Sequence, residues 1–373
     1  MPGSAFPAAD AVGTRIAPFL PGRDLSASRR ALLRWYDRNR RDLPWRKTCD
    51  PYRIWVSEIM LQQTRVAAVL EHYRLFLKRF PNIRALAKAS ESAVLASWSG
   101  LGYYRRARRM RQCAQIIMQD HDGKFPTTVE QLQSLPGIGR YTAAAIASIA
   151  FEEPAAVVDG NVERVLERIN GCALTPKETW TQAQALLLES RPGDHNQAMM
   201  ELGATVCTPR QPRCGACPVR TWCVTKGEVR PTRSMDRRAP TPGPADEVPM
   251  PSPPATVQTR KEIWCALYQS DDHIRLVQRP ATASLMPAMW ELPQSPDPKM
   301  ERRAPAPGQA PKGRKNSAPW RTFRHSITTT DYTVHVRRAA RPAAKGKWIP
   351  ISQIPHMPIT GLTRKILKAA GII

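Results

Sequence analysis

The sequence predicts a mainly helical domain closed by a four-cysteine loop, followed by a smaller α+β domain. Three observations carry this. Apolar residues recur at helical spacing from about Arg29 up to the cysteines. Four of the eight cysteines fall in Cys207-x6-Cys214-x2-Cys217-x5-Cys223. Beyond them the composition turns to proline and then to strand-like alternation. A chain of 373 residues has room for two domains, each with its own core. Its formal charge of +25 bears little on fold but favours an anionic partner such as nucleic acid. No apolar run approaches a membrane span.

Residues 1–28 are rich in Pro and Ala and carry Asp10 and Asp24 without a continuous apolar stretch, so they are expected to be a disordered extension and not a targeting peptide. Ala31, Leu32, Trp35 and Tyr36 begin the helical domain, expected over 29–226. A helix is expected from about Ile54 to Phe80, broken near Gln63. Others follow around 84–97, 104–120, 128–134 and 141–151. Val162, Val165, Leu166 and Ile169 give the i, i+3, i+4, i+7 spacing of a buried face, and helices near 177–190 and 194–206 lead into the cysteines. Eight prolines between Glu228 and Thr256 mark an extended linker, set at 227–257. The second domain, 258–373, is expected to have strands at Ile263–Tyr268, Ile274–Val277 and Tyr332–Arg337, and a last helix from Leu362 to Ala370. A low-complexity insertion interrupts it at 294–319.

The cysteine quartet suits a metal site, because no secretory signal precedes it and the chain is too long for a stapled scaffold. Zinc modules commonly use two C-x2-C knuckles. One such knuckle between spacers of six and five favours a [4Fe–4S] cluster. The other cysteines, Cys49, Cys113, Cys172 and Cys265, are scattered, as expected of reduced thiols in a cytoplasmic protein.

Leu135-Pro-Gly137-Ile-Gly139-Arg between two helical segments is a helix-hairpin-helix signature. Its outward backbone N–H groups and the following helix dipole can hold a phosphate, although Pro and Gly also punctuate ordinary turns. Asp159, in Val157-Val-Asp-Gly-Asn161-Val, stands where a helix N-cap is wanted. Capping and catalysis are compatible there. Glu58 interrupts the apolar run Trp55–Leu61. It is either a surface carboxylate or a partly buried one, and burial would favour its protonated form. Gln62 and Gln63 are either base-stack wedges or polar surface. Tyr103 and Tyr104 precede five arginines within Arg105–Arg111, the mixture expected where bases stack and phosphates dock. Such a run is usually a solvated helix face; Arg108 and Arg111 are the two that could point to DNA.

Taken together, SEIMLQQT, GLGYYRRARR, FPTTVEQLQSLPGIGRYTAAAIAS, VVDGNVERVLER, NQAMMELGATVC and the quartet resemble the MutY family of adenine DNA glycosylases. The match is collinear from about Leu43 to Cys223. MWELP (289–293), FRHS (323–326) and LTRKIL (362–367) are similar to the Nudix-like domain of that family, without the glutamate cluster of a Nudix hydrolase. The resemblance implies a monomeric base excision repair enzyme that removes adenine opposite 8-oxoguanine or guanine in duplex DNA. It implies that Cys207, Cys214, Cys217 and Cys223 hold a [4Fe–4S] cluster. It gives Glu58 the role of protonating adenine N7 and Asp159 that of stabilising or capturing the sugar cation, with Tyr141 and Asn161 supporting the two carboxylates. It assigns DNA contacts to Gln63 and Thr64, to Tyr103 as a wedge, to Gly137 and Gly139, to Arg210, and to Phe323, His325 and Ser326 as a loop that inspects 8-oxoguanine.

The chemistry is consistent with those roles. Adenine leaves only when a ring nitrogen is protonated, and its departure leaves a cationic sugar. One acid and one ionised carboxylate are therefore needed. Position 141 separates two chemistries: a lysine there in endonuclease III relatives forms a Schiff base, which Tyr141 cannot do. The alternatives are an endonuclease III-like glycosylase/lyase for oxidised pyrimidines, which Tyr141 and the second domain oppose, and a non-catalytic DNA-binding relative, which the two carboxylates oppose.

Overall fold

The structure, a computed structural model, describes residues 24–226, 259–295, 319–327, 330–339 and 346–373. The expected linker, and nearly all of the expected N-terminal extension and insertion, lie outside the described residues. The helical stretch is not one compact unit. The chain divides after Trp55, crosses back at Pro126, and lends Leu135–Gly137 to the second unit.

In the first unit, α1 (Leu25–Asn39) starts four residues before the expected boundary, because Asp24 caps it by accepting the Ala27 N–H at 2.9 Å. α7 (Val129–Gln133) and α8 (Arg140–Ala150) flank the hairpin turn. α9 (Gly160–Asn170), α10 (Pro176–Leu186) and α11 (Pro192–Thr205) follow. α10 opens with a capping box between Thr175 and Glu178, with Pro176 at the first helical position. The core joins Leu32, Leu33 and Tyr36 of α1 to the expected face of α9 and to Ala198, Met199 and Leu202 of α11. Charged side chains are buried in the same unit, among them Glu201. Glu201, with no exposed side-chain surface, accepts hydrogen bonds from Arg41 (2.6 and 2.8 Å) and Arg46 (2.8 Å).

The second unit holds most of α2 (Pro51–Leu61), then α3 (Val66–Arg79), α4 (Ile83–Lys88), α5 (Glu91–Trp98) and α6 (Arg105–Asp120). The helix expected around 84–97 is two, since Ser90 caps a fresh start by accepting the Ala93 N–H. Phe76 meets Phe80 and Trp98 edge to face, at centroid distances of 5.0 and 5.9 Å, and Met110, Cys113 and Ile117 of α6 are buried as well. The same unit contains an α+β assembly with strands β1 (Thr259–Leu267), β2 (Gln269–Ser270), β3 (His273–Gln278), β4 (Trp290–Glu291), β5 (Gln294–Ser295), β6 (Arg321–Ile327), β7 (Thr330–Arg338) and β8 (Lys347–Pro350), and the closing helix α12 (Gly361–Ala369). One sheet runs β5-β1-β7-β6, with β1 and β7 parallel. The other runs β2-β3-β4, with β8 also on β3. Gln294 and Ser295, expected at the start of the insertion, instead pair with Cys265 and Trp264. The sheet cores and Ile366 and Leu367 of α12 form one apolar cluster.

Candidate active site and cysteine loop

Asp159 is built into the start of α9. One carboxylate oxygen accepts the backbone N–H groups of Asn161 (2.9 Å) and Val162 (2.8 Å), and the other accepts the Asn161 side-chain amide at 3.0 Å. Burial pushes its pKa above the ordinary aspartate value. The hydrogen bonds from Val162 and Asn161 and the charge of Arg164 work against that shift. The carboxylate is both an N-cap and a pre-oriented anion, on a residue of intermediate exposure. Asn161 is held in turn by Arg164, whose guanidinium donates to Asn161 Oδ1 (2.9 Å), to Gly203 O (2.8 Å) and to Cys207 O (2.9 Å). α11 comes this close because residue 203 is glycine: a Cβ there would stand 2.6 Å from the Asn161 Cβ.

Glu58 is 6% exposed, so the surface alternative for this carboxylate does not hold. Its neighbours along α2, Val56, Ser57, Ile59 and Met60, are buried too. Tyr141, in the first turn of α8, packs with Ala144, Ala145 and Val157, and its hydroxyl donates to Met200 Sδ at 3.4 Å. The structure thus groups Asp159 with Asn161, and Tyr141 with Met200.

The hairpin needs its first glycine. Gly137 has φ +82°, and a Cβ there would lie 2.9 Å from the Arg109 Cβ. Gly139 is the extended N-cap of α8. Gln63 (φ 57°) and Tyr103 (φ 45°) are exposed, each at a positive-φ position that non-glycine residues seldom take. Thr64 closes the turn after α2, its N–H donating to Leu61 O. Arg210 is exposed.

Two expectations are corrected. Arg108 and Arg111 are occupied internally, Arg108 by Glu91 (2.7 Å) and Pro287 O (2.6 Å), and Arg111 by Ala89 O (2.6 Å). FRHS is not a loop but part of β6, paired with β7 from Arg321↔Val336 to Ile327↔Thr330. Strand alternation therefore turns Phe323 into the apolar core, where it is 7% exposed, and leaves Arg324 and Ser326 outside. His325 is half-buried, and Ser326 donates to Asp331.

The four cysteines line one pocket with Arg168, Val206, Pro212, Arg220 and Lys226. All are free thiols of intermediate exposure. Four thiolates on one zinc must lie within about 4 Å of each other, given Zn–S bonds of about 2.3 Å. A [4Fe–4S] cube instead takes one thiolate per iron. The residues fit the cluster, and the basic neighbours suit its anionic ligand set. Arg168 pins the loop, donating to Thr208 O and Pro209 O (both 2.8 Å) and to Cys207 Sγ (3.3 Å). Arg164 and Arg168 were not singled out from sequence, although a basic residue every fourth position inside an apolar helical face was a visible signal.

Residues 56–189 match the HhH-GPD superfamily of base excision DNA repair proteins, and 207–223 match the iron-sulfur binding domain of endonuclease III. The chain is 49% identical to the adenine DNA glycosylase of Rattus norvegicus over 215 residues, covering 54% of this chain and 42% of that protein. It is 39% identical to that of Homo sapiens over 329 residues, covering 75% and 60%. It therefore spans about half the length of such relatives. Among solved structures, a thermostable thymine-DNA glycosylase superposes with a TM-score of 0.52 at 30% identity, covering 55% of this chain and 97% of that one.

Proposed function

We propose that this chain, which matches the HhH-GPD superfamily of base excision DNA repair proteins over residues 56–189 and is similar to adenine DNA glycosylases, is itself a monofunctional adenine DNA glycosylase of the MutY type acting on adenine opposite 8-oxoguanine or guanine. The observation that carries the reading is Asp159. Three N–H donors aim its carboxylate at the start of α9, where a developing sugar cation needs a fixed negative charge. Glu58, sheltered from water on α2, delivers a proton to adenine N7. The N-glycosidic bond breaks with its electron pair going to the protonated base, which leaves neutral. Asp159 shields the cationic C1′, and water adds there, losing a proton to solvent, to leave an abasic site. Tyr141 has no amine to form a Schiff base, so the strand is not cut.

Gln63 and Tyr103 occupy the gap left by the extruded adenine, offsetting part of the few kcal/mol that base flipping costs. The hairpin N–H groups after Gly137 and the exposed Arg210 hold phosphates. Held by Cys207, Cys214, Cys217 and Cys223, a [4Fe–4S] cluster would supply structure and not reactivity. The C-terminal α+β assembly is, in this reading, Nudix-like and recognises 8-oxoguanine, with Ser326 on the outer face of the edge strand β6 and the half-buried His325 on the face it shares with Phe323.

The test is single-turnover base release from duplexes carrying adenine opposite 8-oxoguanine, against thymine-glycol duplexes, with Glu58→Gln and Asp159→Asn. Each substitution should slow adenine release by about 10²–10⁴-fold. Unchanged release by both variants overturns the two-carboxylate mechanism, and preference for thymine glycol overturns the substrate.

A further inference from the structure

Arg106 is the second residue of α6, yet its guanidinium is turned inward. A cation at a helix N-terminus opposes the dipole, and burial pulls its pKa down to about 10, so the placement is unfavourable unless something local rewards it. The reward is two turns. One nitrogen donates to Ile59 O (2.7 Å), Met60 O (3.3 Å) and Gln62 O, carbonyls at the C-terminal end of α2 that have no helical partner ahead of them. The other donates to Leu101 O (3.2 Å) and Thr64 Oγ1 (3.4 Å). The guanidinium carbon lies 5.4 Å from the ring centroids of both Trp98 and Tyr103. Arg106 thus ties the 62–64 turn to the 98–103 turn. Each turn presents one exposed side chain from a positive-φ residue, Gln63 and Tyr103. Such backbone persists only where its surroundings over-determine it, and here the shared partner of both turns is one guanidinium.

We propose that Arg106 is a positioning residue for base extrusion, holding Gln63 and Tyr103 together in the conformations that enter the base stack. The proposal rests on the glycosylase reading above. It makes no contact with the reacting atoms and separates extrusion from bond cleavage.

The test uses the full, cluster-loaded chain and two adenines: one opposite 8-oxoguanine, the other in a single-nucleotide bulge where no pairing opposes extrusion. Arg106→Met should slow release from the paired substrate by roughly tenfold or more and from the bulge by less than about threefold. In a Glu58→Gln background, the fluorescence rise of 2-aminopurine placed beside the target should fall with it. Equal losses on both substrates at an unchanged melting temperature, or no loss on either, overturn the proposal. Should Arg106→Met not fold, Arg106→Lys retains the charge but not the forked donors, and its effect should be non-additive with Tyr103→Ala on the paired substrate. Full additivity overturns the proposal as well. A parent chain that releases no adenine from either substrate defeats the glycosylase reading instead, and the fluorescence arm, which requires no chemistry, still decides on Arg106.

Discussion

At the scale of single residues, the behaviour of Asp159 sets a pH profile. Its folded-state pKa is raised above 3.8, and the reaction needs the ionised form. The rate should therefore be lost as pH falls through a midpoint above 3.8. Asn161 donates to one oxygen of that carboxylate and so favours its charge. Asn161→Ala should move the acid limb further upward. A limb that stays in place, read from single-turnover rates, removes Asn161 from the account. Tyr141 carries a second expectation: borohydride should trap little covalent complex with abasic DNA, and efficient trapping would point to a lyase.

The elements impose their own constraints. α9 and α11 touch through the bare backbone of Gly203, so Gly203→Ala forces the Asn161 side chain and backbone away. Overpacking of this kind costs about 1–3 kcal/mol. Here it should also slow adenine release beyond what the melting temperature accounts for, because Asn161 orients Asp159. The cysteine loop behaves differently. Cys217→Ser should abolish the visible absorbance of the cluster, lower the melting temperature and weaken duplex binding in a gel-shift assay. Arg168 holds Thr208 and Pro209 by their carbonyls whatever fills the pocket. Arg168→Met should therefore weaken DNA binding even in protein whose cluster absorbance is retained.

For the molecule as a whole, the clearest lever is Glu201. Burial alone would push its carboxyl up. Hydrogen bonds from Arg41 and Arg46 outweigh this and pull it down to about 2. That is below the ordinary 4.5, so the stabilisation is fully present above that value and is lost as pH falls toward 2. Glu201→Gln should cost about 2–4 kcal/mol at neutral pH, discounted because Arg41 is itself 40% exposed, and should flatten the acid side of the stability profile. Acid melting curves that coincide for the two proteins would dismiss the ion cluster as a source of stability.

What the sequence determined by itself is local. Cap chemistry placed Asp159 at the head of α9, helical periodicity found its buried face, the spacing of four cysteines chose a cluster over zinc, and strand alternation located β1, β3 and β7. Each rests on interactions spanning a few residues, which side-chain type and spacing report directly. Only the tertiary structure decided the rest. It buried Glu58, turned Phe323 into a sheet core because β6 pairs in one register with β7, and spent Arg108 and Arg111 on internal carbonyls and a glutamate. It also joined Arg41 to Glu201 across 160 positions, and gave Arg106 the two turns it holds. An arginine reads the same in sequence whether it meets a phosphate, a carbonyl or a carboxylate. The partner is set by which segments the folded chain brings within hydrogen-bonding reach, and by the cost of leaving a buried charge without one.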